Sequence, residues 1–213
     1  MKIKTPLFYM KIDILFVIVM FIFFVSSRTR NYFNSFIICY LFIVFHEATH
    51  MLVGVLLGKE IDTLNIGVFG VNVSFKNLHY EKNLMSETKK EVIYNILIYL
   101  AGPFSNFVLA IVFINIKLVF DINVFLGILN LIPVYPLDGY NVLYNVLKLL
   151  NCNVKLITII INIFNNIVFI FLFIIGIYLI VKLYNPSLML FLIYLIVLKI
   201  INSNYKNKTK YYK

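Results

Sequence analysis

Residues 37–57 read Ile37-Ile38-Cys39-Tyr40-Leu41-Phe42-Ile43-Val44-Phe45-His46-Glu47-Ala48-Thr49-His50-Met51-Leu52-Val53-Gly54-Val55-Leu56-Leu57. The run is apolar from end to end except at its centre, where His46, Glu47 and His50 stand in H-E-x-x-H spacing. On a helix this spacing stacks two imidazoles one turn apart on one face, with the carboxylate beside them. Two histidine ligands and a carboxylate able to take a proton from metal-bound water are the donor set of a zinc hydrolase. Ionisable groups inside a bilayer span are costly and mark function by default. The stretch therefore predicts a membrane-spanning helix that carries a hydrolytic zinc site.

The rest of the chain agrees with a membrane setting. Of 213 residues, 62% are hydrophobic, and the mean hydropathy is +0.94, above the roughly half-apolar make-up of soluble domains. The formal charge is +10. The Lys and Arg residues lie between apolar runs and at the ends, where they act as topology signals and contacts to anionic lipid, so a nucleic-acid partner is not expected. Cys39 and Cys152 give neither a disulfide framework nor a C-x-x-C pair. Lys2 and Lys4 precede an apolar run with no small-residue cleavage site, which reads as a retained first span.

Apolar runs place spans at about 8–26, 34–58, 92–116, 122–147, 156–182 and 186–202. The expected fold is an all-α polytopic membrane protein of about six transmembrane helices, read as one integral-membrane domain over 1–213 with a polar tail from about 203. The fourth span is interrupted by Pro133 and Pro136. Broken helices at membrane depth persist where the freed backbone is buried in protein or lines a watery cavity. Between the second and third spans, Val71, Val73 and Phe75 alternate with Asn72, Ser74 and Lys76. That period, with a partner run at Ile61–Val68 and Gly67 and Gly70 near the turn, predicts a small β-hairpin directly after the H-E-x-x-H helix. Six spans put both termini on one side, and the lysine bias makes that side cytoplasmic; Arg28 and Arg30 run against the bias.

A catalytic zinc takes three protein ligands and keeps one position open. Of the nine Asp and Glu residues, Asp13, Glu47, Asp121 and Asp138 lie in or beside spans. Asp13 and Asp121 fall near span ends, and Glu47 suits the role of base. Elimination nominates Asp138, which precedes Gly139 and follows the proline-broken stretch, as third ligand; the alternative is a helix-cap or turn residue in Leu-Asp-Gly. A buried carboxylate with no cation nearby would be costly or protonated. His79 reads as a solvated loop residue, and Asn162, Asn165 and Asn166 as compositional bias.

Asn130-Leu131-Ile132-Pro133-Val134-Tyr135-Pro136-Leu137-Asp138-Gly139 resembles the N-x-x-P-x-x-P-L-D-G signature of the site-2 protease family of intramembrane zinc metalloproteases. Ala101-Gly102-Pro103-Phe104-Ser105-Asn106 resembles the family's G-P-x-x-N element. The similarity covers about 34–147, which would be the catalytic core, and the compact plan most resembles the stage IV sporulation protein FB branch. The resemblance implies one zinc ion held by His46, His50 and Asp138, Glu47 as general base and acid, and Asn130 near the substrate carbonyl. Asn106 is a further substrate or oxyanion candidate, with an interhelical hydrogen bond as its structural reading. Pro133, Pro136 and Gly139 would break the helix. The chain has Thr49 where the family commonly has glycine, and Tyr140 and Asn141 where it commonly has glycine and a basic residue.

The implied activity is regulated hydrolysis of a membrane-bound or membrane-associated protein in a bacterial cell membrane, with a regulatory membrane partner and, by the branch resemblance, a sporulation transcription-factor precursor as substrate. Three rival readings fit the residues less well. A zinc protease with a downstream Glu ligand lacks its ligand, because no Glu follows Glu91. An inactive homologue serving as a binding scaffold has no need of Glu47. A metal transporter calls for polar sites along a path, whereas the ionisable groups here gather at one depth.

Overall fold

The computed structural model describes residues 2–4, 9–25, 30–67, 70–76, 88–186 and 188–197. His79 and the polar tail lie outside them. The chain divides into two compact units, Met1–Leu129 and Asn130–Lys213.

The first unit holds β1 (Lys2–Lys4), β2 (Tyr9–Ile12), α1 (Ile14–Val25), α2 (Arg30–Leu56), β3 (Ile61–Gly67), β4 (Gly70–Phe75), α3 (Lys89–Val112) and most of α4 (Lys117–Leu131). The H-E-x-x-H stretch is helical throughout, as its spacing requires. α2 stops where glycine permits it. Gly58 has φ +79°, its N–H donates to Val55 O at 2.9 Å, and the Lys59 N–H donates to Gly54 O at 2.8 Å. This pair of bonds is the Schellman ending, which satisfies the last carbonyls and reverses the chain within two residues. β3 starts at once.

β3 and β4 stand where the alternation put the hairpin, paired antiparallel from Ile61↔Phe75 to Gly67↔Gly70. The sheet is larger than a hairpin. β2 pairs parallel with β3 and β1 antiparallel with β2, giving the order β1-β2-β3-β4. The run expected as a span from residue 8 thus begins as strand, and α1 is 12 residues long. Tyr9-Met10-Lys11-Ile12 is too short to show a period of its own, and its partner lies some fifty residues on, so no local signal announced it.

The sheet is fastened along α2. Tyr40 donates its hydroxyl to Gly67 O at 3.0 Å. At the other end a Cβ on Gly54 would stand 2.3 Å from the Phe75 ring, so only glycine lets β4 lie this close. Ile43 abuts Gly70. From Ile43 to Gly54 the helix rises about 17 Å, and β4 from Gly70 to Phe75 extends about 17 Å. The strand therefore runs the length of the helix segment that carries His46 and His50.

α3 opens with a capping box: Glu91 N–H donates to Thr88 Oγ1 at 3.3 Å and Thr88 N–H to Glu91 Oε2 at 2.7 Å. Its interior contains Gly102 and Pro103, both buried, although glycine costs a helix about 1 kcal/mol and proline about 3 kcal/mol relative to alanine.

In the second unit, α5 (Asp138–Leu149), α6 (Val154–Leu183) and α7 (Leu188–Val197) follow the proline-rich turn. Asp138 is the first helical residue of α5, where the helix dipole favours a carboxylate. A Cβ on Gly139 would lie 2.2 Å from Leu131 O and 2.7 Å from Ile132 O, so the turn through Pro133 and Pro136 brings the start of α5 tightly against Leu131 and Ile132.

Three helices of the described residues are long and apolar enough to cross a membrane: Phe36–Leu56 within α2, α3 and α6. The six spans expected are not reproduced as six such helices. The first gives residues to the sheet, the fourth splits at its prolines into α4 of 15 residues and α5 of 12, and α7 is a shorter apolar helix.

Candidate metal centre

His46 and His50 occupy consecutive turns of α2 and are buried, at 4% and 5% exposure. Their Nε2 atoms face each other at 3.0 Å, and the rings meet nearly edge to face, with an interplanar angle of 81°. Glu47 joins them: the ligand atoms of the three lie within 4.8 Å of one another.

The face opposite is built by α3 at the same four-residue interval. Ile98, Gly102 and Asn106 run antiparallel to His50 and His46. His50 Nδ1 donates to Ile98 O at 2.6 Å. His46 Nδ1 pairs with Asn106 Oδ1 at 2.6 Å. Between them Gly102 has no room for a side chain, since a Cβ would come within 2.3 Å of His50 Nε2 and 2.6 Å of His46 Nε2. Gly102, poorly suited to a helix interior, thus sits where the backbone must approach the imidazoles. Local propensity yields at functional sites.

This arrangement decides the tautomers. A carbonyl only accepts, so His50 carries its proton on Nδ1 and turns a lone pair outward at Nε2. Asn106 imposes the same on His46. Two imidazole lone pairs 3.0 Å apart repel unless a cation lies between them, and two nitrogens bound to one tetrahedral zinc are about 3.3 Å apart at zinc–nitrogen distances of 2.0–2.1 Å. Each ring also has the outer hydrogen bond that orients metal-ligating histidines. The donor chemistry, the Gly102 cradle and the outer bonds all fit a divalent metal held by nitrogen.

Thr49, where the resembled family commonly has glycine, turns its hydroxyl to His46 O at 2.6 Å and to Ser105 Oγ at 3.1 Å; Ser105 donates to Gly102 O at 2.7 Å. The added methyl and hydroxyl are absorbed by a polar contact between α2 and α3.

Asn106, a substrate candidate by sequence, is 0% exposed, and both ends of its amide are engaged: Oδ1 by His46 and Nδ2 by Asn123 Oδ1 at 3.2 Å. Asn123, also 0% exposed, was not singled out from the sequence. Its buried position on α4 places it against Asn106, aided by Gly127 one turn on, where a Cβ would press within 2.9 Å of the Phe107 ring. Asn130 and Asp138 belong to the second unit and are half-buried there. Near them, the rings of Tyr135 and Tyr140 meet edge to face at 5.6 Å.

Fold and cluster together define a helical, membrane-type chain with a histidine–glutamate–histidine cluster on an apolar helix that could hold a metal ion. Among solved structures, the chain is similar to the site-2 protease from Methanocaldococcus jannaschii, with a TM-score of 0.61 and 21% identity over 92% of this chain and 91% of that one. At that identity the likeness is one of fold, and it does not separate one branch of such proteases from another. No protein-family model matches the chain, and no curated protein matches it.

Proposed function

We propose that this chain is an intramembrane zinc metalloprotease of the site-2 type. The observation that carries the reading is the pair of imidazoles, each with Nδ1 against an oxygen acceptor, with Nε2 atoms 3.0 Å apart on a helix apolar enough to span a bilayer. The fold shared with a site-2 protease supports it.

In this reading His46 and His50 hold one zinc ion, and Asp138 supplies the third ligand. When bound, zinc lowers the pKa of coordinated water to about 7 and polarises the scissile carbonyl. Glu47 takes the proton of the attacking water and returns it to the nitrogen of the leaving amine. Asn130 steadies the substrate carbonyl. A helical substrate hides its carbonyls, so it must be unwound, and β4, an edge of the sheet lying along α2, offers an extended partner. The substrate is a membrane-bound or membrane-associated protein, for example a transcription-factor precursor or a remnant signal peptide; a sporulation role and a regulatory membrane partner belong to the same proposal. Both termini are assigned to the cytoplasmic side of a bacterial membrane from the lysine bias.

The test is mass spectrometry of membrane peptides from cells with the wild-type chain and with Glu47→Gln. New peptide termini that depend on Glu47 support the protease. Identical peptide sets, with zinc retained in both, would show a binding scaffold instead.

A further inference from the structure

We propose that Asn123 is a positioning residue for the metal site, acting through Asn106 to hold His46 in its metal-binding tautomer. The inference rests on the zinc reading above and adds to it a buried polar relay that reaches from α4 to the ligand.

The direction of the relay follows from its far end. Val119 O is a backbone carbonyl and only accepts, so the atom of Asn123 facing it at 2.9 Å is Nδ2. Oδ1 of Asn123 then faces Asn106 and accepts from Asn106 Nδ2 at 3.2 Å. Asn106 must therefore turn Oδ1 toward His46, and His46 Nδ1, 2.6 Å away, must carry the proton. Each amide has two ends that are nearly equal in shape and opposite in hydrogen-bond sense. A lone Asn106 would be free to flip, and with Nδ2 toward His46 it would draw the proton onto Nε2, where the metal must bind. The carbonyl on α4, three bonds away, removes that freedom.

Magnitudes argue that the relay is not there for fold stability. Interhelical polar bonds in membrane bundles average about 0.6 kcal/mol, while burying an amide has a desolvation cost of about 1–3 kcal/mol by protein mutational data. With their amides satisfied by one another, Asn106 and Asn123 escape that cost, and the small average worth of such bonds leaves little helix-holding for them to do. Outer-shell partners of metal-ligating histidines, by contrast, are worth roughly 10–100-fold in metal affinity.

The test is a double-mutant cycle on the full chain in detergent, read as zinc affinity by chelator competition, with the His46 tautomer read by 15N NMR in the metal-free protein. Asn123→Leu should weaken zinc about 10–100-fold and move the His46 proton toward Nε2. Asn123→Asp, protonated in this buried place, can still donate to Val119 O and accept from Asn106, and should restore binding. In an Asn106→Asp background the acid, held ionised beside the zinc-bound imidazole, accepts from His46 through either oxygen, so flipping no longer matters and Asn123→Leu should cause no further loss. An equal loss in both backgrounds, or an unchanged tautomer in Asn123→Leu, would overturn the relay and leave Asn123 a packing residue. Failure of the wild-type chain to take up zinc would instead defeat the metal reading, and the tautomer measurement would still decide the relay.

Discussion

Gly102 shows how single residues set this site. Its missing side chain admits two imidazole nitrogens where a Cβ would lie 2.3 Å and 2.6 Å away. Gly102→Ala must push α3 off α2, and overpacking of this kind costs about 1–3 kcal/mol. The expected outcome is a folded chain whose zinc affinity falls at least tenfold in chelator competition; unchanged affinity would mean that the cradle is not at the metal. Glu47→Gln is expected to do the reverse. It keeps shape and zinc and removes the base, so cleavage should drop at least about 10²–10⁴-fold, measured on a membrane substrate identified by its new termini. His46, Glu47 and His50 were legible in the sequence because helical period alone puts them together. Gly102 and Asn106 were visible through the G-P-x-x-N pattern, though not what they touch. Asn123 was invisible: its work depends on which face of α4 meets α3, and asparagines are scattered along the whole chain. Asn165, set aside as compositional bias, is buried on α6, and its Oδ1 has no hydrogen-bond partner among the described residues.

At the scale of elements, β4 is the piece whose placement matters most for substrate. Lys76 N–H donates to Glu60 O at 2.8 Å, so alternation turns Ser74 and Asn72 toward β3 and leaves the amides of Val71 and Val73 on the outer edge. Among the described residues no further strand pairs with that edge. If an extended substrate adds there, Val73→Pro removes one outward donor and leaves the ladder to β3 intact. Cleavage should slow several-fold with zinc content unchanged, as compared by product formation and metal analysis on the same preparation. Crosslinks from cysteines at 70–76 to a substrate trapped on Glu47→Gln would locate it; crosslinks only elsewhere would exclude strand addition. The hairpin was readable because its period is local. The parallel β2–β3 pairing was not, since Tyr9 and Thr63 become partners only once α2 is in place. The start of α3 was not read from the sequence: the apolar run begins at 92, while the capping box of Thr88 and Glu91 starts the helix at Lys89.

Among the described residues polar side chains share the interior with the apolar core, and large apolar side chains cover the outside. His46, His50, Asn106, Asn123, Asn145 and Asn165 are buried, while Phe104, Ile111, Phe125, Phe171, Ile174 and Val181 are each at least 60% exposed. Such apolar surface would drive association in water, and in a bilayer it simply meets lipid. The chain should therefore stay with membranes through alkaline carbonate washing and leave them only in detergent; release by carbonate would refute the membrane assignment. Composition made this legible, whereas the number of crossings was not, because hydropathy counts apolar runs and cannot see a run broken by Pro133 and Pro136 or partly taken into a sheet. In the proposed reading this apolar fold is organised around one metal ion. Zinc-edge X-ray absorption on the purified chain, with metal quantified per protein, addresses it directly. The expected result is one zinc per chain with two imidazole nitrogens at about 2.0–2.1 Å and otherwise oxygen ligands, and occupancy that falls in His46→Ala, His50→Ala and Asp138→Ala. Substoichiometric zinc, sulfur in the coordination shell, or full occupancy in the histidine variants would contradict it.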